Sequence, residues 1–125
     1  MTGGCGAAPD EALPPVPADL VQRDEIPVGD TISRRMTRSA NGLRDRLEPR
    51  WGPLTGRIYL LPADRRGDFA RQVQADLPAG WLKQDMGADP DGTEWLVFVK
   101  GDRLLAYLLL DQRAGAFHPV QLLHN

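Results

Sequence analysis

Apolar residues recur along this chain in two rhythms. From Ile32, the positions Met36, Ala40, Leu43 and Leu47 follow at i+4, i+8, i+11 and i+15, which is the spacing of one helix face. Asp30 or Thr31 can cap this helix by accepting from the orphan N–H groups of its first turn. Pro49 and the run Trp51-Gly52-Pro53 stop it. Gly42, in the middle, weakens it by about 1 kcal/mol relative to alanine and leaves room for a bend. A narrower stripe, Phe69, Val73 and Leu77, predicts a second helix that begins at Asp64 and closes at Pro78 and Gly80.

The other rhythm is that of strands. Arg57-Ile58-Tyr59-Leu60-Leu61 is a short apolar run ended by Pro62, and Trp81 to Met86 reads as a further strand. Glu94 to Val99 and Arg103 to Leu110 flank Gly101-Asp102, the pattern of a two-residue hairpin whose central residues favour positive φ. Both arms are apolar almost without alternation, which predicts a sheet covered on its two faces. Phe117 to Leu123 makes a terminal strand, and Pro119 within it points to an edge position. Helices and strands are partly segregated in order. The expected class is α+β: an antiparallel sheet of four to five strands with two helices packed on it.

The first thirty residues differ from the rest. Pro9, Pro14, Pro15, Pro17 and Pro27 interrupt them, and six acidic residues stand against Arg23 alone. Proline removes donors and like charge resists compaction, so residues 1–30 read as a disordered linker or tether. Within it, Leu20 to Val28 can lie against the domain as an edge. Residues 31–125 read as one small domain.

Composition narrows the chemistry. The net charge of −2 and the 26% of charged residues give no general support for nucleic-acid binding. A single cysteine, Cys5, cannot form an internal disulfide, a redox pair or a thiolate cluster. Neither a phosphate-cradling glycine loop nor His/Cys metal spacing occurs, so no cofactor and no metal is expected. Asp85, Asp89, Asp91 and Glu94 gather around a glycine turn. Aligning Gly92 with the glycine of a calcium loop puts Gly87 first and Phe98 twelfth, neither of them a side-chain carboxylate. Those acids therefore read as a solvated turn. Asp64 and Asp68 share a helix face as ordinary electrostatic caps.

His118 and His124 are the only histidines, so any histidine acid–base site must use one of them. No nucleophile elbow accompanies either, and a structural role is expected for both. The arginines of the first helix are the better candidates. Residues 31–57 hold seven arginines against Asp45 and Glu48, and Arg34, Arg35, Arg38 and Arg44 form the expected partner-binding face for an acidic protein. Arginine outnumbers lysine along the whole chain, so a solvated face in an arginine-rich proteome is the competing reading. No aromatic residues interleave with these arginines, which disfavours nucleic acid as the partner.

Gly3, Gly4 and Cys5 lead into the proline-rich tail. This start resembles that of a bacterial lipoprotein, in which small residues precede the cysteine so that a peptidase can grip an extended backbone. Thr2 departs from the leucine usual at its place, and the charged and apolar stretches of such a signal are not among these residues. The resemblance implies a lipid anchor on Cys5, and Gly6, which is not the aspartate of an inner-membrane retention signal, implies the periplasmic face of the outer membrane. The expected function is then a non-catalytic, envelope-tethered binding protein: an assembly factor, an inhibitor or an immunity-type protein acting on a protein partner. The alternatives are a small hydrolase using His118 and nearby carboxylates, or an unlipidated cytosolic adaptor.

Overall fold

The protein is seen here as a computed structural model that describes residues 14, 16–23, 30–87, 89 and 92–125. Six strands form one antiparallel sheet: β1 (Val21–Arg23), β2 (Thr55–Pro62), β3 (Leu82–Gln84), β4 (Glu94–Lys100), β5 (Arg103–Leu109) and β6 (Phe117–His124). Their spatial order is β1-β2-β6-β5-β4-β3. The long helix α1 (Asp30–Trp51) precedes β2, and a 3-10 turn (Ala63–Asp68) leads into the short helix α2 (Phe69–Asp76). The fold is α+β, with one strand more than the upper expected number. The additional strand is β1, whose partner is β2.

Alternation within β5 explains its continuous apolar run. Leu104, Ala106, Leu108 and Leu110 pack with Met36, Ala40, Leu43 and Leu47 of α1. Leu105, Tyr107 and Leu109 point the other way, to Phe69 and Val73 of α2. A helix covers each face, so every residue from Leu104 to Leu110 is buried. The ring of Phe69 meets Tyr107 edge-on, with centroids 5.5 Å apart.

The stretch ahead of α1 does not all stand apart from the domain. Leu20 is buried in the core on the α2 side with Val16 packed against it, and Val21–Arg23 pairs in register with Leu60–Ile58. Asp19 bonds Arg65 of the 3-10 turn at 2.9 Å. Cys5, with Gly3 and Gly4, lies outside the described residues.

Three local expectations change. Helix α1 runs through Pro49 to Trp51. It ends at Gly52, whose φ of 83° is the left-handed conformation of a helix stop and whose N–H bonds Glu48 O at 2.9 Å. At the β4–β5 hairpin only Gly101 has positive φ, since no non-glycine described residue does; one glycine at the first central position is the II′ pattern. Finally, β6 is not an edge strand but lies between β2 and β5.

Proline is tolerated in that central strand because a neighbour replaces what it lacks. Leu110 N–H donates to Pro119 O at 3.1 Å, one half of an antiparallel pair. The reciprocal bond needs an N–H on residue 119, which proline does not have. The Nδ1 of His118 stands 3.0 Å from Leu110 O instead and, as the N–H tautomer, donates to it. The imidazole thereby completes the ladder.

Candidate functional site

Strand directions bring three connections to one end of the sheet: the 3-10 turn after β2, residues 85–93 between β3 and β4, and residues 110–116 between β5 and β6. The first half of α1 runs alongside that end. Its polar side chains reach across and hold two of the loops.

Arg35 forks onto the β5–β6 connection, with 3.1 Å to Asp111 Oδ1 and 3.0 Å to Gln112 Oε1. One turn later, Ser39 is only 2% exposed although it is polar. Its hydroxyl donates to Asp89 Oδ2 at 2.7 Å and accepts from Trp95 Nε1 at 2.9 Å. Arg46 donates to Met86 O at 2.9 Å while its guanidinium lies 5.1 Å from the Trp95 ring centroid. Within the 85–93 loop, Asp85 accepts from Gly87 N–H at 2.9 Å, a local Asx bond.

The four arginines named from sequence separate. Arg34 and Arg38 are exposed on the outward side of α1. Arg35 turns inward to Asp111 and Gln112 as above. Arg44 is half-buried and lies over Gly56 of β2, where a Cβ would meet Gln121 Nε2 at 2.7 Å and Arg44 NH2 at 3.2 Å. Gly56 is thus what lets the guanidinium lie down on the sheet. The outward side of α1 carries Arg34 and Arg38 against Asp45, whereas Arg46 faces the loops and the Arg50 guanidinium lies 5.0 Å from the Trp51 ring centroid.

Among its described residues, the acidic turn does not converge. Asp91 lies outside the described residues, Asp89 is held by Ser39, and Asp85 closes its own turn. No group of acids, histidines and cysteines that could hold a metal ion occurs among the described residues. Asp64 is exposed, whereas Asp68 pairs with Arg65 at 3.6 Å and with Arg71; neither makes the side-chain cap bond of its helix.

His118 is buried, and burial pushes its pKa below the usual 6.5. Arg66 and Arg113 add to that lowering, against the hydrogen bonds the ring makes to the backbone of Leu110 and Gln112. The charged groups acting on the ring are cations, the reverse of a carboxylate-oriented base. His124 lies in β6 between Thr55 and Leu105, with Nδ1 3.2 Å from Asn125 O. Asn125 itself ties three elements, bonding Leu104 N–H at 2.9 Å, Asp102 O at 2.7 Å and Trp51 O at 3.4 Å.

Two open cavities flank β3. One, of about 260 Å³, lies between the end of α2 and the sheet, against Leu77, Pro78, Trp81, Lys83 and Phe98. The other, of about 400 Å³, lies beyond the end of β3 against Asp85, Met86, Glu94 and Trp95. Sequence reasoning named neither these nor Ser39. Ser39 did carry a signal, because it stands three residues after Met36 and four before Leu43, inside the apolar arc of α1.

No helix among the described residues is long and apolar enough to cross a membrane. No protein-family model matches the chain, and no curated protein and no solved structure matches it.

Proposed function

We propose that this chain is a non-catalytic binding protein of the bacterial cell envelope, held at the periplasmic face of the outer membrane through a lipid on Cys5 and acting on an acidic protein partner. The observation that carries the reading is the outward side of α1. It exposes Arg34 and Arg38 against Asp45 alone, on a chain of net charge −2. Such a face attracts acidic surfaces and speeds encounter with them. The same helix anchors two loops through Arg35, Ser39 and Arg46, so the face is supported by its other side and little order has to be imposed on docking. A lipid on Cys5 would confine the domain near a membrane-associated partner and raise its effective concentration.

Two measurements test the two halves. For the anchor, the mature protein isolated from its native cells should begin at Cys5, carry the mass of a lipid, and sediment with outer membranes. An unmodified Cys5 thiol preceded by Gly4 makes the protein an unlipidated adaptor and defeats the envelope assignment. For the docking face, a photo-crosslinker at Asn41, exposed among the outward arginines, should give one discrete adduct. That adduct should disappear in the Arg34→Glu, Arg38→Glu double variant, and a crosslinker at Gln74, on α2, should not give it. An adduct that survives the double reversal removes α1 as the contact surface.

A further inference from the structure

The sheet ends at β3 in a strand that looks unfinished. All three residues of β3 are exposed, and Leu82, at 67%, is the most exposed large apolar side chain among those described. The strand pairs only with Val97–Val99, so Glu94–Leu96 of β4 run past it without a ladder partner from β3. Arg46 holds the chain at Met86 O just beyond the end of β3. Edges of this kind accept an added strand, and alternate side chains of the newcomer then enter whatever pockets adjoin the edge.

The 260 Å³ cavity bounded by Leu77, Pro78 and Trp81 adjoins β3 on the α2 side, next to Lys83. Charge decides what fits there. The chain has two lysines, Lys83 and Lys100, and both stand at this end of the sheet. Lys83 is on β3; the stem of Lys100 passes within 2.9 Å of where a Cβ on Gly80 would be, beside the same cavity. Among the described residues, no carboxylate lines that cavity. A second copy of the chain fits poorly, because a two-fold pairing centred on β3 sets Lys83 opposite its own copy, and like charges directly across a ladder are unfavourable.

We propose that the β3 edge is a strand-addition site for an extended segment of a partner protein. That segment has an apolar side chain that enters the Leu77–Trp81 cavity and carboxylates that meet Lys83 and Lys100. The site is separate from the outward side of α1 and from Cys5, so loss of either proposal leaves the other standing.

The test is titration of the full ¹⁵N-labelled chain with a capped seven-residue peptide, Thr-Glu-Thr-Leu-Thr-Glu-Thr, whose leucine and glutamates share one strand face and so meet the cavity and the lysines together. Amide shifts should cluster at residues 80–84 and 97–99, with the Trp81 indole among them. Lys83→Glu should weaken binding about fivefold or more, with Lys83→Ala intermediate. A peptide N-methylated at alternate amides, which keeps the side chains and removes the ladder donors, should not bind. Unchanged binding of the N-methylated peptide, or of Lys83→Glu, overturns strand addition. So does dimerisation through this edge in sedimentation, relieved by mutation of β3, which makes a second copy the occupant. The spectrum of each variant without peptide shows whether it is folded, so loss of binding is not confused with loss of structure.

Discussion

Removing one oxygen atom from α1 should loosen an entire loop. Ser39→Ala deletes the hydroxyl that accepts from Trp95 Nε1 and donates to Asp89 Oδ2. An indole N–H bond contributes about 1 kcal/mol net, and a bond to a carboxylate about 1.5 kcal/mol or more. Ser39 is 2% exposed, so water does not replace the hydroxyl in place. Trp95 and Asp89 are half-buried and regain part of their hydration, which brings the expected loss to about 2 kcal/mol. For a domain of this size that is a fall in Tm of about 10 °C. Urea unfolding followed by tryptophan fluorescence measures it directly. Because the bond is shared, Ser39→Ala and Asp89→Ala should be coupled by about 1 kcal/mol in a double-mutant cycle. Asp85→Ala, whose carboxylate holds Gly87 instead, should add to Ser39→Ala without coupling. A Ser39→Ala protein within 0.5 kcal/mol of the parent, or an additive Ser39/Asp89 pair, would refute the proposed clamp.

Three other perturbations have definite signs. His118 has a lowered folded pKa, so the unfolded chain takes up the proton first; stability is full above about pH 6.5 and falls as the pH drops from there toward the folded value. His118→Gln should flatten urea midpoints between pH 7.5 and 5.5, and an unflattened profile places the titrating group elsewhere. Burial, with Tyr59 and Asp76 adding to it, raises the Tyr107 phenol above its ordinary 10.0. At pH 11, Tyr107→Phe should therefore leave the phenolate absorbance of the native protein unchanged and reduce that of the unfolded protein. Equal loss in both states contradicts this. Leu108 is 0% exposed between β5 and α1, and Leu108→Ala should cost about 3 kcal/mol in chemical denaturation; a cost under 1 kcal/mol would show that α1 does not seal that face.

The residues that shape the core were largely readable in advance. Met36, Ala40, Leu43 and Leu47 lie on one helical arc, and that arc is the buried one. The unbroken apolar letters of β5 announced a sheet covered on both faces. What misled was reading Pro119 by itself. Proline at a ladder position usually means an edge, but here the preceding residue supplies a donor from its side chain, and no pattern of apolar and polar letters encodes such a substitution. The second helix was also read as uniform. Residues 63–68 wind as a 3-10 turn, and α2 begins only at Phe69.

The site was legible in part. Charge density marked α1, but spacing could not tell which arginines face outward and which reach the loops, because the loops that engage Arg35 and Arg46 lie far along the chain. The β3 edge was invisible for a related reason. Its openness is a property of sheet order, and Leu82 and Lys83 look unremarkable until β3 is the last strand.

Sheet order also bears on the sequence of events in folding. Strands β3 to β6 form a meander in which each pairs with its successor, whereas β2 pairs with β6 across a separation of about sixty residues. The meander can therefore close from local contacts, while β2 waits. Until residues 117–124 have been made, Tyr59, Leu60 and Leu61 have no ladder on the β6 side and no completed sheet to bury them. β6 is the strand that joins the two halves of the sheet. A chain cut before Phe117 would leave β1 and β2 severed from β3, β4 and β5, with two fresh edges exposed, and aggregation rather than a smaller folded domain is the expected fate.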